Sequence, residues 1–223
     1  MAVIYYLISN FFEGKEAEMK ISDILKEDKV TLTYEVFPPR GGDTYEAVAE
    51  KARTISELQP AFMSVTYRAG GETSDYTVKL ASDISGRLGV ESLAHLTCVS
   101  STREQVAQVL AKLREHGVQN ILALRGDIPP EGPTAHDYAY AAELVRDIKA
   151  QGDFCVGGAC YPEGHPEAGG KVADIEHLKE KVEAGCEFLI TQMFFDNSIF
   201  YNFLYRIRER GIDVPRRRGP SCP

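Results

Sequence analysis

Hydrophobic and polar positions along the chain switch repeatedly between two periods. Residues 30–36 alternate and are rich in β-formers, and then Pro38, Pro39, Gly41 and Gly42 break the run. Apolar positions recur at helical spacing over 44–58. The switch then repeats: strands at Phe62–Val65, Ser92–Thr97, Asn120–Leu124, Cys155–Cys160 and 188–192, and helices at 74–84, 102–116, 136–150, 173–184 and 198–210. Ser/Thr caps open the helix at 102, and Gly117, Gly185 and Gly211 stop three of them.

Six strand–helix units in a row, without a linker or a shift in composition, predict a parallel sheet covered by helices. An open doubly wound sheet and a (β/α)8 barrel both fit that alternation. No GxGxxG follows the first strand, which weakens the dinucleotide-binding doubly wound alternative. Polar residues follow every strand and not one switch point alone, which suits a barrel whose site draws on all its loops. The expected class is therefore α/β of the (β/α)8 TIM-barrel type, with about six of its eight units in this chain.

The ends depart from the pattern. Met19-Lys20-Ile21-Ser22-Asp23-Ile24-Leu25 reads as a natural start entering a short amphipathic helix, and Lys15-Glu16-Ala17 can be encoded by a purine-rich ribosome-binding sequence. Residues 1–18 are accordingly expected to be a non-native upstream extension, 19–215 a partial barrel, and 216–223 an aberrant unstructured tail. Ile212-Asp213-Val214-Pro215 resembles the entry to a seventh strand, after which the pattern stops.

Composition adds limits. The 223 residues, 43% hydrophobic and 26% charged, suffice for one sizeable core, and a net charge of -8 argues against a general nucleic-acid binder. Residues 1–12 are apolar but too short to span a membrane, and they lack a signal peptide's basic start and cleavage site. Five cysteines, with no CxxC and no metal-ligand spacing, point to reduced thiols in a cytoplasmic protein. Cys98, Cys155 and Cys160 lie in or beside apolar runs and are expected to be buried.

Candidate chemistry sits at the strand tips, where α/β barrels bind ligands. Glu35 stands among apolar neighbours that would raise its pKa, which suits a general acid, and alternation sets Thr33, Glu35 and Phe37 opposite Leu32 and Val36. The second tip, Ser64-Val65-Thr66-Tyr67-Arg68-Ala69-Gly70-Gly71, either lets a cofactor approach closely or is a plain turn. His95 is a core histidine or a site residue. Arg125-Gly126-Asp127 offers a cation, a bare backbone and a carboxylate in a row. The fifth tip presents Tyr161, Glu163 and His165 between prolines. Gln192 can both donate and accept along the edge of a heteroaromatic ring, and Phe194 and Phe195 are either core or a stacking wall. His95, His165 and Glu163 lack metalloenzyme spacing, so no metal is expected.

Taken together, Tyr34-Glu35-Val36-Phe37-Pro38-Pro39-Arg40, Ser64-Val65-Thr66-Tyr67, His95-Leu96-Thr97-Cys98, Ala123-Leu124-Arg125-Gly126-Asp127, Ala159-Cys160-Tyr161-Pro162-Glu163-Gly164-His165-Pro166 and Thr191-Gln192-Met193-Phe194-Phe195-Asp196 resemble bacterial methylenetetrahydrofolate reductase. The motifs follow the family's order from Met19 to about Val214. The resemblance implies a flavin-dependent oxidoreductase barrel that reduces 5,10-methylenetetrahydrofolate to 5-methyltetrahydrofolate, in one-carbon metabolism and methionine supply. FAD would be the cofactor and NADH or NADPH the reductant. It implies Glu35 as the general acid, and Asp127 as the carboxylate that tunes the flavin and stabilises positive charge on the folate. Gln192 would bind the pterin, and Thr66 would lie near the nicotinamide. FAD would be held by Tyr67, Ala69, His95, Arg125, Gly126, Ala141, Tyr161, His165, Ala168, Asp174, His177 and Lys181.

Arg68 and His177 depart from residues common in the family, Gly and Asn respectively, and the family's last two units have no counterpart. A homo-oligomer is implied for the full-length form. Two other readings stay open: a reductase taking electrons from an iron–sulfur partner, and a catalytically silent barrel that binds flavin or a partner chain.

Overall fold

The computed structural model describes residues 19–27, 30–67 and 72–212, together with the backbone of Leu7–Ser9. The elements run β1 (Leu7–Ser9), α1 (Ile21–Ile24), β2 (Thr33–Val36), α2 (Tyr45–Ser56), β3 (Phe62–Val65), α3 (Glu72–Leu88), β4 (Ser92–Thr97), α4 (Arg103–Glu115), β5 (Asn120–Leu124), α5 (Ala141–Ala150), β6 (Cys155–Cys160), α6 (Lys171–Glu183), β7 (Phe188–Thr191) and α7 (Asn197–Glu209). Strands β2 to β7 pair in sequence order and all in parallel. They curl into a half-barrel with the helices outside, as the alternation predicts. β1 adds to the free edge of β7 in antiparallel register, Leu7 opposite Ile190 and Ser9 opposite Phe188. The expected seventh strand lies outside the described residues apart from Ile212, which is buried.

Two apolar layers hold the sheet. The outer face packs Val36, Met63, Val65, Leu96, Ile121 and Val156 against helix residues such as Val48, Ala81, Leu110 and Val145. The concave face holds Phe62, Leu93, Leu122, Cys155, Phe188 and Ile190, and α1 closes it from below with Ile21 and Ile24. Burying one such aliphatic side chain contributes about 1.5–3 kcal/mol. Strand alternation makes both layers, because successive side chains point to opposite faces.

Helix boundaries follow their caps. The Thr44 hydroxyl accepts from the backbone N–H of Ala47 at 3.2 Å, and Thr102 and Gln105 form a reciprocal capping box. Gly117 takes φ +73° just past α4, a conformation that disfavours a residue with a Cβ. One boundary moves: α5 starts at Ala141, not at 136. Side chains take the N–H groups there, since Glu143 Oε2 accepts from Ala139 and Tyr140 at 2.6 and 2.9 Å. The first strand is also shorter than its alternation suggested, and Val30 is left exposed.

At the floor, where the strands begin, polar groups satisfy one another. Ile21 N–H donates to Asn120 Oδ1 at 2.9 Å, and the Asn120 amide donates to Glu91 Oε2 at 3.3 Å. Met19 N–H reaches Glu91 Oε1 at 3.1 Å. Lys20 pairs with Asp153 at 2.6 Å and Lys149 with Glu187 at 2.9 Å.

Candidate active site

At the opposite, C-terminal ends of the strands the loops enclose a cavity of about 1140 Å³, above the ~300–1,000 Å³ usual for drug-sized ligands. The sequence-predicted cofactor residues Thr66, Tyr67, His95, Arg125, Gly126, Asp127, Ala141, Tyr161, His165, Ala168, Asp174, His177 and Lys181 all line it. Ala69 lies outside the described residues, as does Arg68. A smaller cavity of about 170 Å³ opens inside the sheet and is lined by Glu35, Ser64, His95, Tyr161 and Gln192 among others. His95 and Tyr161 border both spaces.

The β5 tip is held by its neighbour. Val99 N–H donates to the Arg125 carbonyl at 2.8 Å, which locks the loop after β4 against it. Gly126 has φ +87°, and a Cβ there would fall 2.8 Å from Val99 Cγ1. The bare backbone expected from the sequence is thus required by packing as well as by conformation. Arg125 Nη2 pairs with Glu167 at 2.7 Å across the cavity.

Several polar groups face the large cavity under strain of solvation. Among the described residues the Thr66 hydroxyl is buried with no hydrogen-bond partner, a state that costs about 1–3 kcal/mol. Lys181 donates to the Ala159 carbonyl at 2.7 Å, and burial lowers its pKa despite the nearby thiols and Asp174. Burial likewise pushes the Tyr67 hydroxyl up to about 12. His177 stacks on Tyr140 with ring centres 4.7 Å apart, which gives this histidine a place in the wall.

Glu35 occupies the small cavity with the polarity its neighbours predicted. Burial raises its pKa, opposed by a hydrogen bond from Ser64 and by the charge of Arg40. His95 Nε2 stands 3.6 Å from Glu35 Oε2. That separation exceeds a hydrogen bond, and burial holds the imidazole at about 4, so the ring is neutral and the contact is no ion pair near pH 7. Gln192 is exposed at the rim, its Oε1 accepting from Met193 N–H at 2.9 Å. Phe194 stacks on Phe200 at 4.8 Å, while Phe195 is 89% exposed. Cys98, Cys155, Cys160 and Cys186 are buried free thiols.

Sequence reasoning did not single out Ser64, Tyr140 and Glu167. A serine in the apolar run Phe62-Met63-Ser64-Val65 was the available signal for the first. Among the described residues no group of three or more His, Cys, Asp or Glu is placed to hold a metal, and no helix is long and apolar enough to cross a membrane.

The family model of methylenetetrahydrofolate reductase matches residues 20–216. The 5,10-methylenetetrahydrofolate reductase of Pectobacterium carotovorum subsp. carotovorum is 38% identical over 92% of this chain and 68% of its own length. That of Escherichia coli (strain K12) is 37% identical over 92% and 69%. Methylenetetrahydrofolate reductase (NADH) 1 of Arabidopsis thaliana is 36% identical over 88% of the chain and 36% of its own. The chain thus spans about two-thirds of the bacterial relatives and about a third of the plant one. Among solved structures, an uncharacterized Clostridium thermocellum protein that binds two copies of 5-methyl-5,6,7,8-tetrahydrofolic acid superposes with TM-score 0.55. It is 14% identical and covers 85% of this chain and 65% of that one. A putative deoxyribose-phosphate aldolase of Toxoplasma gondii ME49 gives 0.52 at 15% identity, over 80% and 71%. At such identities the likeness is one of fold.

Proposed function

The chain belongs to the methylenetetrahydrofolate reductase family, and from that premise we propose that its strand-tip cavities serve the FAD-dependent reduction of 5,10-methylenetetrahydrofolate to 5-methyltetrahydrofolate. NADH is the proposed reductant, as in the name of the Arabidopsis relative. One observation carries the reading: a roomy cavity and a small acid-bearing one meet at His95 and Tyr161, with a half-buried carboxyl on the substrate side.

The residues fit a flavin dinucleotide. The unpartnered Thr66 hydroxyl offers a buried polar contact, Gly126 leaves backbone bare, and Arg125 and Lys181 supply cations for phosphates. Bound flavin supplies the hydride chemistry. Glu35, its pKa raised by burial, gives its proton to a folate nitrogen. The carbon–nitrogen bond of the methylene bridge then breaks toward that nitrogen, leaving an iminium on the folate. Asp127, exposed at the rim, stabilises the positive charge as it develops, and Gln192 binds the pterin edge through its amide. The free buried thiols support a reducing, cytoplasmic setting.

The test compares half-reactions. Wild-type protein should take up FAD and show its visible absorption. Glu35→Gln should keep that absorption and its bleaching by NADH, and lose ~10²–10⁴-fold in reoxidation by the folate. Equal losses in both half-reactions would remove Glu35 from the role of acid.

A further inference from the structure

We propose that Ser64 is a positioning residue for Glu35, its hydroxyl holding the carboxyl across the β2–β3 ladder so that the acid faces the substrate cavity. The inference rests on the reading of Glu35 as the proton donor given above. Ser64 stands directly opposite Glu35 in the parallel register, on the concave face of the sheet. The positions around it on that face, Phe62 and Leu93, are apolar and buried. Ser64 itself is buried, and its hydroxyl sits beside the Glu35 carboxyl in the shared cavity, where it favours the ionised form. Its hydroxyl lies between apolar neighbours on its own strand and on β4, and faces the cavity it shares with the acid.

The other groups around Glu35 cannot take over the task. His95, from β4, is neutral and lies at 3.6 Å, beyond direct hydrogen bonding. Arg40, past the end of β2, acts as a charge without a hydrogen bond to the carboxyl. Tyr161, from the β6 tip, and Gln192, after β7, line the same cavity. Ser64 is the hydroxyl set directly opposite the acid in the β2–β3 register. A hydroxyl also suits both states of the acid, since it donates to the carboxylate and can accept from the carboxylic acid. Glu35 thus keeps one orientation while it loses and regains its proton.

The sign of the effect is fixed. The Ser64 bond favours the ionised carboxyl and burial favours the neutral one. Removing the hydroxyl leaves burial less opposed, so Glu35 holds its proton to higher pH, while a less constrained carboxyl transfers it less well. A merely structural serine would produce neither shift.

The test labels the glutamate side chains with ¹³C at the carboxyl and follows their titration by NMR in the purified chain, with Glu35→Gln assigning the resonance. In Ser64→Ala the Glu35 midpoint should move upward, and Ser64→Thr should bring it back. Ser64→Gly carries the same expectation should the alanine variant not fold. In the folate half-reaction Ser64→Ala should lose about tenfold, the size of one hydrogen bond to a charged group, with flavin reduction unchanged. An unmoved Glu35 midpoint in the folded alanine or glycine variant overturns the proposal. The NMR readout needs no turnover, so wild-type protein that never reduces folate would refute the proposed function without touching the Ser64–Glu35 link.

Discussion

At the floor of the sheet Asn120 accepts from the backbone of Ile21 and donates to Glu91, whereas at the mouth the Thr66 hydroxyl is buried with no partner among the described residues. The contrast extends to charges. Lys20–Asp153 and Lys149–Glu187 close the floor beneath a plug of Ile21 and Ile24, while at the mouth Glu35 and His95 stand 3.6 Å apart and burial shifts each toward its neutral form. The same strands thus end in a satisfied, apolar-plugged base and an unsatisfied, hollow top. Stability is concentrated where polar groups find one another inside the protein. Chemistry is available where they have been left to find a ligand.

The largest effect is expected from breaking the base. Ile21 is fully buried against the concave layer, and Ile21→Ala should cost about 2–5 kcal/mol in urea denaturation. FAD uptake by the fraction still folded should be unchanged, because the side chain is at the far end of the strands. Loss of flavin affinity in folded protein would mean that the two ends are coupled.

Acid should separate the ends next. Burial holds His95 at about 4 against an ordinary 6.5, so the unfolded chain binds more protons between those values. Stability should therefore fall as pH drops from about 6.5 to about 4, by at most roughly 3 kcal/mol. Glu35, raised by burial, works in the opposite sense and blunts the slope. At the floor, the bond from Lys20 lowers Asp153 below its ordinary 3.8, so that pair is lost only at still lower pH. His95→Gln should flatten the upper part of the curve. An unchanged slope in urea midpoints against pH would refute the assignment to the mouth.

The smallest effect sharpens the comparison most. Asn120→Ala strands the Ile21 N–H and should cost about 1–3 kcal/mol. Thr66→Val deletes a hydroxyl with nothing to lose, and stability should hold or rise by roughly 1 kcal/mol while FAD binds more weakly. Thermal denaturation and flavin titration measure both. Destabilisation by Thr66→Val would show that its hydroxyl supports the fold.

Much of this was legible in the chain. Alternation put Glu35 and Thr33 on the concave face, and the turn residues after each strand marked the loops that enclose the cavity. Caps and stop glycines located α4 to within a residue. Other features were not legible, for a geometric reason. The amphipathic stretch 19–25 announced a helix but not that it would plug the half-barrel, and no local pattern pairs Leu7–Ser9 with β7.

By itself, then, the sequence determined the element order, the buried and exposed faces, and the residue types at each strand tip, because these follow from side-chain periodicity and turn chemistry within a few neighbouring residues. Only the tertiary structure decided which tips meet. Ser64 reaches Glu35 through strand register, Glu167 reaches Arg125 across the cavity, and His177 finds Tyr140 between helices. Each contact depends on how far one strand slides and curls against the next, a quantity set by the packing of the whole sheet and written in no single segment.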